Sequence, residues 1–93
     1  MDILHKDDGK KGQFYIENDG KVIAETTYIW SGPQRIIIDH TEVDESLKGK
    51  NIGKQLVDKV VTFAREKHIK VMPLCPFARA VFDKTPAYQD VLF

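Results

Sequence analysis

The run His40–Lys67, "HTEVDESLKGKNIGKQLVDKVVTFAREK", decides the fold, because its side-chain periodicity changes part-way along. Across residues 51–67, Ile52, Leu56, Val60, Phe63 and Ala64 recur at helical spacing, while Lys54, Asp58, Lys59, Arg65 and Glu66 fall elsewhere. That is the apolar stripe of one amphipathic helix. Upstream, Arg35–Val43, "RIIIDHTEV", is β-branched and reads as a strand, and downstream Ile69–Leu74, "IKVMPL", reads as a short buried strand. A strand, a crossover helix and a second strand form a βαβ unit, whose two strands run parallel.

Working outward, residues 12–17 and 22–30 read as two strands joined by Asn18, Asp19 and Gly20, residue types that accept the positive φ of a tight hairpin. "SGPQ" then turns the chain into Arg35–Val43. "PFARAVFDK" reads as a helix opened by Pro76, whose missing N–H is no loss in a first turn, and it ends at Thr85 and Pro86. The expected fold class is α/β (α+β): an antiparallel meander feeding a βαβ unit, with a short C-terminal helix, in one domain over residues 1–93. The tail "AYQDVLF" gives no clear pattern.

Composition narrows the function. The 14 basic and 14 acidic residues cancel, so no global charge points to nucleic acid or to an anionic membrane, and any anion site must be local. No apolar run reads as a signal peptide or membrane span, which predicts a cytoplasmic protein. One cysteine allows no internal disulfide, no pair of histidines has ligand spacing, and no metal is expected.

The local anion feature is the loop between strand and helix. A helix N-terminus presents unpaired backbone N–H groups and the positive end of the helix dipole. Gly49 and Gly53 give access to it, and Lys48, Lys50 and Lys54 add cations, although a charged loop with a glycine turn is an equally ordinary reading of these residues. Its place at the carboxyl end of a parallel strand favours a ligand site. A nucleotide P-loop is excluded, because "GKNIGKQ" is one residue short and has Gln55 where the magnesium-binding hydroxyl belongs; no Rossmann G-x-G-x-x-G occurs.

The run His40–Lys67 resembles the acetyl-CoA-binding segment of the GNAT superfamily of N-acetyltransferases, in which a (Gln/Arg)-x-x-Gly-x-(Gly/Ala) loop opens a long helix. Here the loop is Lys48–Gly53, with Lys48 for Gln or Arg and Asn51 for the first motif glycine. Lysine keeps the charge, and asparagine tolerates left-handed backbone better than most residues. The resemblance covers about residues 35–82 and extends to small single-domain members with a cysteine after the second parallel strand. It implies that the backbone of Asn51, Ile52, Gly53, Lys54 and Gln55 holds the pyrophosphate of coenzyme A, with Lys48, Gly49 and Lys50 at the same loop. It also implies that the main chain around Thr41 and Val43 pairs with the pantetheine arm.

For catalysis the resemblance places Asp39, His40 and Glu42 near the acetyl group. His40 shares a strand face with Ile36 and Ile38 unless a bulge flips it. Larger members use a tyrosine on the second helix as proton donor; this helix has Phe77 and Phe82, and the nearest tyrosine is Tyr88, beyond Pro86. His5 and His68 are expected to carry no chemistry. A lone cysteine is commonly an inert buried hydrophobe, but Cys75 lies at a helix start, where the dipole favours a thiolate. The reading is an acetyl-CoA-dependent N-acetyltransferase acting on an amine, small or in a protein, with Cys75, His40 and Glu42 as catalytic candidates. The alternatives are a non-catalytic acyl-CoA-binding module and a phosphate-binding domain for another nucleotide.

Overall fold

A computed structural model describes residues 2–93. Five strands form one sheet in the order β1(Leu4–Asp7), β2(Lys11–Asn18), β3(Lys21–Trp30), β4(Arg35–Val43), β5(Lys70–Pro73), antiparallel except for the parallel pair β4–β5. Helix α1(Ile52–Lys67) crosses from β4 to β5, and α2(Pro76–Lys84) follows β5. The meander and the βαβ unit are therefore as the sequence indicates.

Local chemistry sets the joints. Asp19 and Gly20 take φ of 53° and 77°, the left-handed pair that closes a two-residue hairpin without splaying its strands. Helix α1 stops where His68 turns left-handed at φ 57° and its N–H caps Ala64 and Arg65. The tail, unassigned from the sequence, forms a 3-10 turn at Pro86–Tyr88, and Leu92 bridges to the outer edge of β5 at Val71.

Strand β1 lies outside every stretch the sequence marks as strand. Its four residues are exposed, so no apolar alternation betrays it. It is held at long range instead: Tyr28 Oη donates to Asp7 Oδ2 at 2.6 Å, Trp30 Nε1 donates to the same oxygen at 2.9 Å, and His5 Nε2 lies 2.7 Å from Tyr28 Oη. The His5 ring stacks on Phe14 with centroids 4.0 Å apart and meets Phe63 of α1 edge-on. Through these contacts His5 pins an edge strand to the core.

Both helices pack on one face of the sheet. Ile36, Ile38 and Tyr28 from the strands interlock with Leu56, Val57, Val60 and Val61 of α1, all fully buried, and Ala78 and Phe82 of α2 complete the same core. The opposite face carries no helix among the described residues. Between β3 and β4 the register slips: Tyr28 pairs with Ile38 but Thr27 pairs with His40, which leaves Asp39 as a bulge. The bulge inverts the alternation. Thr41 and Val43 turn toward the helices, and His40 and Glu42 turn toward the bare face, so His40 does not share the face of Ile36 and Ile38.

Candidate active site

The loop is anchored by its two buried apolar residues, Leu47 and Ile52. Asp44 starts it: its Oδ1 accepts from Ser46 N at 2.9 Å and from Ser46 Oγ at 2.7 Å, and these bonds hold its carboxyl below the usual range. Gly49 then takes φ 82° and Asn51 takes φ 61°, ψ 26°, a left-handed geometry that asparagine tolerates better than most residues. The Asn51 side chain makes no cap hydrogen bond, so nothing from the cap residue covers the first-turn N–H groups of α1. Of the loop lysines, Lys48 is engaged in an exposed ion pair with Glu45 at 2.9 Å, and Lys54 Nζ lies 5.8 Å from the Tyr88 ring centroid.

Beside this loop β4 has an unpaired edge. Pairing with β5 covers only Arg35–Ile38, and the N–H groups of Leu74 and Cys75 both converge on Ile38 O, at 3.1 and 3.0 Å, as the chain leaves the sheet. From Asp39 to Val43 the β5 side of β4 is open. A concavity of about 510 Å³ joins the two features, lined by Thr41 and Val43 of β4, by the apolar Leu47 and Ile52, and by Lys48, Gly49, Asn51, Gly53 and Lys54. Phe77 of α2 closes the far side. A Cβ on Gly53 would come within 2.4 Å of the Phe77 ring, so this glycine lets the two helices meet at the cleft. The closeness of Phe77 to Gly53 across a helix pair has no local signal in the sequence.

Cys75 caps α2. Its Sγ accepts from Ala78 N at 3.3 Å and lies 3.3 Å from Thr41 Oγ1, and the residue is 6% exposed. Thr41 Oγ1 is in turn 2.9 Å from the Oγ1 of Thr26, a fully buried hydroxyl that donates to His40 O at 3.3 Å. Thr26 has one proton, for that carbonyl or for Thr41; when it goes to the carbonyl, the Thr26 oxygen accepts from Thr41 and the Thr41 oxygen accepts from the thiol. Three side chains thus connect the sulfur to the His40 carbonyl. Thr26 occupies an inward strand position between Ala24 and Tyr28, and a hydroxyl at a core position is the sequence signal that was available for it.

The other candidates separate from Cys75. His40 Nε2 and Glu42 Oε2 lie 3.2 Å apart on the bare face, both exposed. With Glu25, they bring ligand-type atoms within 4.8 Å of one another, a common arrangement of exposed acidic groups that does not by itself imply an ion. Tyr88 is buried against Phe82 and donates to Asp58 Oδ1 at 2.7 Å; burial, then that bond, pushes its hydroxyl up to about 12. It faces α1, on the side of Asp58, and does not line the cleft.

The family model described as GCN5-related N-acetyl-transferase matches residues 13–91. The chain belongs to this family. A GCN5-like N-acetyltransferase from Staphylococcus aureus, solved in solution, is 35% identical and superposes with a TM-score of 0.79 over 99% of this chain and 87% of that one. Protein NATD1 from Danio rerio is 29% identical over 83 residues, 88% of this chain and 76% of that protein. An acetyltransferase from Clostridium acetobutylicum, solved with acetyl-CoA, is 19% identical with a TM-score of 0.63 over 80% of this chain and 55% of that one, which speaks to fold alone. GNAT members are acyltransferases, and the five-stranded sheet with two helices is their architecture in short form. No helix among the described residues is long and apolar enough to cross a membrane.

Proposed function

We propose that this GNAT chain transfers the acetyl group of acetyl-CoA to a primary amine. One observation carries the reading: two unmet backbone surfaces, the first-turn N–H groups of α1 and the β4 edge at Thr41–Val43, line one cleft. The first suits a pyrophosphate and the second an extended pantetheine arm, whose amides add to the sheet as a further strand. A donor so held has its thioester toward Ile38 and Asp39, where β4 and β5 part. That a fold neighbour was solved with acetyl-CoA supports the fit.

In the transfer, the neutral amine nitrogen bonds to the acetyl carbon as the carbon–sulfur bond breaks. One proton leaves nitrogen and the thiolate of coenzyme A takes one up. Glu42 and His40, on the bare face, are the candidates to receive the amine proton. Cys75, on the helix face, is the candidate to supply the other, since its Sγ lies 3.3 Å from the Oγ1 of Thr41 on the open edge of β4. Tyr88 has no part in either proton transfer, because Asp58 holds its hydroxyl away from the cleft.

The test is a transfer assay with wild type, Cys75→Ala and Glu42→Gln over a panel of amines, with mass spectrometry of the protein after acetyl-CoA alone. Transfer by wild type that falls at least about tenfold in Cys75→Ala, with acetyl-CoA affinity kept, supports the donor role. Full activity in Cys75→Ala removes it, and a stable adduct of 42 Da on Cys75 replaces it with a covalent acetyl carrier. The held Tyr88 favours one second reading, an acyl-CoA-binding module without turnover. Tight acetyl-CoA binding with no transfer to any amine would establish that reading.

A further inference from the structure

The bare face of the sheet holds a second concavity, of about 680 Å³, that the donor cleft does not use. Its walls come from four strands: Lys6 of β1, Lys11 and Gln13 of β2, Thr27 of β3 and Asp39 of β4. Asp39 is the bulge residue immediately after Ile38, the last β4 residue paired to β5, so this hollow ends where the donor edge begins. On β4 the two concavities come within two residues of each other, at Asp39 in this one and Thr41 in the donor cleft, on opposite faces of the sheet.

We propose, resting on the acetyl-transfer reading, that this hollow takes the acceptor and that the acceptor is a primary amine bearing a carboxylate at the other end of a short chain. The charges are polarised along it. At the β4 end Asp39 has one carboxylate oxygen engaged by Thr27 Oγ1 at 2.7 Å, and Glu42 stands three residues further on the same strand. At the β1–β2 end stand Lys6 and Lys11, neither in an ion pair among the described residues, with Lys6 lying over the Tyr15 ring. Asp7 and Asp8 share that end, but their carboxylates are turned into the hairpin, accepting from Tyr28, Trp30 and Gly9 and from the N–H groups of Lys10 and Lys11.

The register fixes the length. Lys6 pairs with Gln13, Gln13 with Thr27 and Thr27 with His40, three strand spacings and about 14 Å between Cα positions at the ends. Lysine side chains reach across part of that span, leaving room for a linear chain of a few carbons between ammonium and carboxylate. An ammonium arriving at Asp39 is next to Glu42 and His40 for its deprotonation, and its nitrogen faces the thioester from the side opposite Cys75.

The test reads binding separately from turnover. Three probes, 6-aminohexanoate, hexylamine and hexanoate, are titrated by amide NMR into wild-type protein saturated with coenzyme A. The expected result is that 6-aminohexanoate shifts the amides of Gln13, Thr27 and Asp39 and binds at least about tenfold more tightly than hexylamine or hexanoate. The double variant Lys6→Gln/Lys11→Gln abolishes the preference over hexylamine without changing coenzyme A affinity, and Asp39→Asn weakens both amines. Equal affinity for 6-aminohexanoate and hexylamine, or shifts confined to another surface, overturns the proposal. Transfer to both amines with equal kcat/KM would overturn this inference while leaving acetyl transfer standing. A chain that binds 6-aminohexanoate as described but transfers to no amine would instead remove the acetyl-transfer reading.

Discussion

At the scale of single residues the account turns on hydroxyls and rings that serve sulfur and strand. Thr41→Val removes the link between Thr26 and Cys75 and leaves a fully buried hydroxyl with only a 3.3 Å bond to His40 O. It should cost about 1–3 kcal/mol in urea unfolding. It should also lower the transfer rate without weakening acetyl-CoA, since the contacts proposed between the cofactor and β4 are to main chain. A variant with wild-type rate and stability would show that the hydroxyl chain does nothing. His5 makes a second, independent prediction. Partial desolvation of the ring where it packs on Phe14 and Phe63, partly opposed by Asp7, holds its pKa below the ordinary 6.5, so as pH falls through 6.5 the unfolded chain binds the proton first. Stability therefore declines from pH 7 toward pH 5. Asp7, held below 3.8 against burial by its bonds from Tyr28, Gly9 and Trp30, adds a further loss only as pH falls through that lower value. Melting temperatures should fall between pH 7 and 5 in wild type and stay level in His5→Phe, which keeps the stacked ring; an unchanged slope in the variant would assign the effect elsewhere.

At the scale of elements, Gly53 joins α1 to α2. Alanine there gains helix propensity but drives a Cβ into the Phe77 ring, the far end of a half-exposed side chain that can move. Gly53→Ala should leave the melting temperature within a few degrees yet weaken acetyl-CoA about tenfold by pushing Phe77 into the cleft, and adding Phe77→Ala should restore most of the affinity. The elements themselves were largely legible. The stripe from Ile52 to Ala64, the β-branched run of β4 and the Asn18–Gly20 turn each follow from a local period or turn chemistry, and the structure reproduces them within a residue or two. Strand β1 was not legible, because LHKD buries no alternating face and is fixed by Tyr28 and Trp30 more than twenty residues away. The same limit applies to the site. The anion loop is written in consecutive residues, whereas the β4 bulge, which separates His40 and Glu42 from Cys75, exists only in the register between strands.

At the scale of the whole molecule, one sheet with helices on one side separates two approaches to the same edge. The radius of gyration, 12.5 Å, matches the value of about 12.3 Å for a compact chain of this length, so both concavities are features of a packed body and not of an open one. A donor bound only by the folded state at about 100 times its Kd adds about 2.7 kcal/mol of stability. Acetyl-CoA and coenzyme A should therefore raise the melting temperature, and ATP or NAD at the same concentration should raise it far less. Equal shifts from ATP would favour a general phosphate site at α1 over a donor cleft that also uses β4.

The most direct measurement is an amide NMR titration of the protein with acetyl-CoA. The account predicts that the largest shifts fall together on Asn51–Gln55 and on Thr41–Val43, with Cys75 and Phe77 following. Shifts limited to the loop, or centred on a surface away from the β4 edge, would contradict it.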